Sequence, residues 1–115
     1  MMLPFKIRWF CLLVALSFLA QCRSRSNLPS SAEEAIAKKQ WSDADLNSLK
    51  SGFRLYNGKC GKCHELYKPE EYSEDDWFDI LPKMSRKAHL SGDEQDLIKR
   101  FLLTRRIYAL ERKKK

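Results

Sequence analysis

GFRLYNGKCGKCH, residues 52–64, decides how the rest of the chain is read. It carries two of the four cysteines and one of the two histidines in a chain of 115 residues. Its first half continues a helical pattern that begins upstream in SDADLNSLKS, residues 42–51. Leu46, Leu49, Phe53 and Tyr56 recur at helical spacing and form one apolar stripe. Ser42 or Asp43 can cap this helix. Gly52 falls inside it, where glycine costs about 1 kcal/mol relative to alanine, so a packing reason is expected for it. The second half sets Cys60 and Cys63 three residues apart, with His64 directly behind.

C-x-x-C-H is the spacing of c-type haem attachment. Two thiols on one turn can add to the two vinyl groups along one porphyrin edge, and the histidine that follows can present its imidazole to the iron. Two other readings use the same residues. A structural zinc needs four ligands, and Cys60, Cys63, His64 and His89 could be named. Adjacent Cys63 and His64 do not readily reach one tetrahedral ion, however, and no second C-x-x-C exists. A dithiol redox motif would want a βαβ pattern, which is missing.

The start of the chain reads as a targeting segment. Lys6 and Arg8 precede the apolar run WFCLLVALSFLA, residues 9–20, which is too short to span a bilayer and has the make-up of a secretory signal. The run ends in LAQC, residues 19–22, which resembles a bacterial lipoprotein signal whose cysteine is acylated and becomes the new N-terminus. Gln21 departs from that pattern, and cleavage after Ala20 is the rival. The expected divisions are a signal peptide over 1–21 with Cys22 as lipid attachment site, a tether and short helix over 22–41, and a haem domain over 42–115 that ends in a basic helical extension. Export agrees with the haem motif, since covalent attachment happens outside the cytoplasm.

The remaining elements are helical. SAEEAIAKKQ, residues 31–40, has Ser31 and Glu34 spaced as a capping box. Ser73 opens a helix rich in acids at its start, with Trp77, Ile80 or Leu81, Met84 and Ala88 on one face; Pro82 is expected to kink or end it. Ser91 or Asp93 caps a last helix striped by Leu97, Ile98, Phe101, Leu102 and Ile107. No segment alternates as a strand, so the fold class is all-α.

GFRLYNGKCGKCH also resembles the N-terminal helix and haem box of class I cytochromes c. That family has a glycine eight residues before the first haem cysteine and an aromatic four before it; Gly52 and Tyr56 stand there. DLIKRFL, residues 96–102, is similar to the family's C-terminal helix, with Phe101 at its aromatic position. The resemblance covers roughly residues 45–104 and implies a small helical domain wrapped around one haem c per chain. Cys60 and Cys63 would form the thioethers and His64 would be the proximal iron ligand. Met84, the one methionine outside the signal, would be the distal ligand, with His89 its rival. The family also implies that a proline carbonyl, here that of Pro69, orients His64. Phe53, Trp77, Leu81 and Leu97 are expected to pack on the haem.

The expected function follows: a monohaem carrier of single electrons on the outer side of a bacterial membrane, and not an enzyme, since two strong axial ligands leave no position for substrate. The alternative is a haem-based sensor or peroxidase-like protein with an open sixth position. Net charge is +7 overall, but residues 99–115 alone hold eight bases and one acid while residues 22–98 sum to −2. The plain reading of this tail is a solvated helix end with cations at the negative dipole terminus. The functional reading is a patch that meets anionic lipid or an acidic partner. Expected partners are redox proteins, acidic-surfaced or part of a membrane respiratory complex, with the membrane reached through the lipid anchor. Nucleic acid is not expected for an exported chain.

Overall fold

The computed structural model describes residues 27–115; the signal segment and Cys22 lie outside the described residues. Helices and turns make up the described residues, with no strand among them. Four α-helices lie among the described residues: α1 (Ser31–Gln40), α2 (Leu46–Leu55), α3 (Glu74–Lys87) and α4 (Gly92–Lys113). A single π-helical turn, Tyr56–Cys60, prolongs α2, and a 3₁₀ turn, Pro69–Glu71, precedes α3. None of these helices is long and apolar enough to cross a membrane.

Each helix starts where a short polar side chain answers the free amides of the first turn. At α1 the cap is Ser30, whose N–H donates to the Glu33 carboxylate at 2.9 Å, so the box lies one residue before the Ser31–Glu34 pair expected. The run SSAEE permits both registers. The one adopted turns Glu33, Ile36 and Ala37 inward. At α2 the cap is Asp45, which accepts from the Ser48 N–H at 2.6 Å, and not Ser42 or Asp43. Asp43 instead accepts from Arg100 of α4 at 3.0 Å. Ser73 and Ser91 cap α3 and α4 as the sequence suggests, with Asp76 and Glu94 completing their boxes.

α4, about 33 Å long at 1.5 Å per residue, is the element against which α1, α2, α3 and the 3₁₀ turn all pack. Its Ile98, Phe101, Leu102 and Leu103 meet Tyr56 and Cys60 from the π-turn and Trp77 and Leu81 from α3 in one core. Ala37, Ala44 and Leu49 form a smaller cluster, joined to the first through Trp41. The packing reason for Gly52 lies at the α2–α4 crossing. A Cβ there would stand 2.8 Å from both the Leu97 carbonyl carbon and the Phe101 Cβ, so only glycine lets the two backbones come this close.

Two features differ from the sequence pattern. Pro82 does not end α3, which runs through it for 14 residues. The missing bond falls on the carbonyl of Phe78, a residue 48 % exposed, where water can serve it. The helix of 31–40, grouped by sequence with the tether, is instead fastened to the domain: Glu33, only 2 % exposed, pairs with the Arg105 guanidinium of α4, which also donates to the Asn27 carbonyl at 2.9 Å.

Candidate functional site

The π-turn determines how the thiols present themselves. One turn of i→i+5 bonding holds an extra residue relative to an α-helix. Cys60, at its end, is buried in the core, while Cys63 in the following turn is exposed. Both are free thiols. Burial, and secondarily the neighbouring Cys63, push the Cys60 thiol above its ordinary pKa. Lys59 anchors this turn to the start of α4 through Glu94, at 2.8 Å.

Cys60, Cys63 and His64 line a small open cleft, and Met84 lines the same cleft from α3. The other lining residues are Lys59, Lys87 and Ala88. Lys87 and Ala88 lie three and four residues after Met84, so helical periodicity alone would add Lys87 to a list containing Met84. Lys59 sits beside Cys60 and carries no motif signal.

His64 Nδ1 lies 2.6 Å from the Glu65 carbonyl oxygen. With its proton on Nδ1 the ring donates there, and Nε2 is left free to bind a metal. Pro69, expected to orient this ring, does something else: its carbonyl accepts the Trp77 indole N–H at 2.8 Å. The Tyr56 hydroxyl donates to the Tyr67 carbonyl at 2.7 Å, and the two bonds together fasten the loop after the cysteines to the core.

His89 does not line the cleft. It stands just past the end of α3 with φ of 54°, in the left-handed region. Its N–H donates to Arg86 O and that of Leu90 to Ser85 O, at 3.3 and 3.0 Å, which is the Schellman arrangement that closes a helix. Phe53, Trp77, Leu81 and Leu97, expected to pack on a haem, are also absent from the cleft lining. Trp77 and Leu81 belong to the core with Phe101, and Phe53 meets the Phe101 ring edge-on at 5.6 Å.

The donors on the cleft are two thiols and an imidazole from one segment and a thioether from another. This set fits a covalently attached haem with one protein ligand from each element. It does not fit zinc: among the described residues no three His, Cys, Asp or Glu side chains converge as metal ligands. The dithiol reading lacks its βαβ frame, since the described elements are helical. No protein-family model matches the sequence, and no curated protein or solved structure is significantly similar to it.

Proposed function

We propose that the chain is a monohaem c-type cytochrome that carries single electrons, tethered to the outer side of a bacterial membrane through an acylated Cys22. The observation that carries this reading is the meeting of Cys60, Cys63, His64 and Met84 on one cleft. Cys60 and Cys63 would hold the haem through thioethers, and His64 and Met84 would be its iron ligands. When bound, the haem supplies a one-electron couple at its iron. The chain's own part is to fix and tune it. The Glu65 carbonyl orients the His64 ring, a Met84 thioether favours a higher potential than a second imidazole would, and the helices enclose one side. Lys59 on the lining is paired with Glu94, but Lys87 has no acidic partner among the described residues and leaves a cation at the cleft, which suits a redox partner with an acidic surface there.

The test is the absorption spectrum and intact mass of the exported protein, with two variants. The expected mass is that of the processed, acylated chain plus one haem. Met84→Leu should abolish the weak far-red band of a thioether–iron bond. His89→Gly should leave it intact and raise stability by about 1 kcal/mol by relieving a left-handed non-glycine residue. Rapid carbon monoxide binding by the reduced wild type would instead favour the sensor or peroxidase-like reading. A colourless protein with the mass of its amino acids and acyl chains would exclude both.

A further inference from the structure

We infer that the cationic end of α4 is a docking surface for anionic phospholipid headgroups, placed beside the point where the chain leaves the fold toward Cys22. The inference takes the acyl anchor from the proposed function but makes no use of the haem cleft.

Arg105 fixes the geometry. Its guanidinium pairs with buried Glu33 and donates to the Asn27 carbonyl at 2.9 Å, so the chain that leads to Cys22 departs from this side of α4. Cys22 lies five residues before Asn27, within about 18 Å of it on any path the backbone can take. Arg112 follows Arg105 by seven residues, which is the same helix face about 10 Å further on. An acyl chain on Cys22 therefore brings Arg112 and the residues after it within reach of the headgroup layer.

The surface itself suits that layer. Residues 111–115 are exposed, and among the described residues no acid pairs with Arg112, Lys114 or Lys115. Arg112 lies over the Tyr108 ring at 5.6 Å, so an aromatic backs the cation. Leu28, next to Asn27, is an exposed large apolar side chain at the same exit, while Pro29 beyond it is buried. Two acids oppose the charge: Glu111 is exposed, and Glu70 holds Lys113 at 3.4 Å. Arg112, Lys114 and Lys115 remain unpaired among the described residues, and four cations against two acids leave a net positive patch. An acidic protein would satisfy the same charges, but only a membrane is held at this end by the chain itself. The surface fixes the attitude of the domain: with the anchor and α4's end both at the bilayer, the molecule stands on one end and does not swing freely.

Brief single-hit acetylation of the exported protein, read by mass, tests this without a variant. The protein is mixed with vesicles of phosphatidylcholine alone, or of phosphatidylcholine with phosphatidylglycerol. Each cation near an anionic surface strengthens association about fivefold. Lys114 and Lys115 should therefore be modified at least fivefold more slowly on the anionic vesicles, and molar salt should restore the rate. Lys99, fourteen residues before Lys113 and so about 21 Å away along α4, should be unchanged and serves as reference. Equal Lys114 and Lys115 rates on neutral and anionic vesicles would overturn the inference, as would protection by soluble polyglutamate that matches that by anionic vesicles. A colourless preparation would defeat the haem reading alone, since these lysines report whether or not the cleft is filled.

Discussion

Alanine at position 52 should destabilise the protein even though alanine is the better helix former. The added Cβ would lie 2.8 Å from the Leu97 carbonyl carbon and from the Phe101 Cβ. Carbon atoms rest at about 3.5–4.0 Å, so α2 and α4 must separate by roughly 0.7 Å or more. Overpacking of this kind costs about 1–3 kcal/mol, and the upper end applies because the obstacle is backbone and cannot rotate away. Better helix propensity returns about 1 kcal/mol, which leaves a net loss near ~2 kcal/mol. For a domain of this size that lowers the thermal midpoint by roughly 8–16 °C. Gly58 provides the contrast. A Cβ there meets nothing within 4 Å, and no glycine among the described residues has positive φ, so Gly58→Ala should be neutral or raise stability by up to about 1 kcal/mol. Thermal circular dichroism of the wild type and both variants, prepared alike, makes the comparison. If Gly52→Ala melts at or above the wild type, or both variants shift together, the close approach of α2 and α4 is not what position 52 is for.

Other consequences follow from single contacts. Arg105→Met strands Glu33 at 2 % exposure and should cost about 3–5 kcal/mol in urea denaturation, whereas Arg105→Met combined with Glu33→Leu should recover most of it; equal losses would show the pair is not responsible. Stability should fall on the acid side. The Ser48 N–H holds the Asp45 carboxyl below its ordinary pKa of 3.8, Ser73 does the same for Asp76, and Lys59 holds Glu94 below 4.5. Carboxyls lowered by folding contribute stability that is complete above the unfolded values and is lost as pH drops through the folded ones. The thermal midpoint should therefore decline once pH passes below this range, and a midpoint that stays flat there would count against these caps. In protein without haem, iodoacetamide should label exposed Cys63 well before Cys60, whose thiol is buried and has its pKa raised; peptide mass mapping that finds equal rates would contradict the inward turn of Cys60.

What could be read from residues alone was mostly local. The stripes of α2 and α4 and the caps Ser73 and Ser91 follow from periodicity and short-range hydrogen bonding. Gly52 reads as a packing glycine because nothing local explains it. Cap positions slipped where the sequence offers duplicates: SSAEE holds two overlapping boxes, and SDAD holds three candidate caps for α2. Long-range contacts broke those ties, Arg105 drawing Glu33 inward and Arg100 engaging Asp43. Such pairs, 72 and 57 residues apart, leave no signature in spacing. At the site, Cys60, Cys63, His64 and Met84 could be named from motif and scarcity. The employment of Pro69 by Trp77, and of His89 as a helix terminator, could not, because the first depends on where the start of α3 comes to rest and the second on where α3 stops.

The widened turn at Tyr56–Cys60 sets the phase of everything after it. Were the same residues wound as an ordinary α-helix, the extra residue would no longer be absorbed in the wide turn, and the following side chains would rotate by about 100° around the axis. Cys60 would leave the core, and the imidazole of His64 would no longer face Met84 across a shared space. The winding of this short stretch therefore sets which way the thiol and the imidazole point.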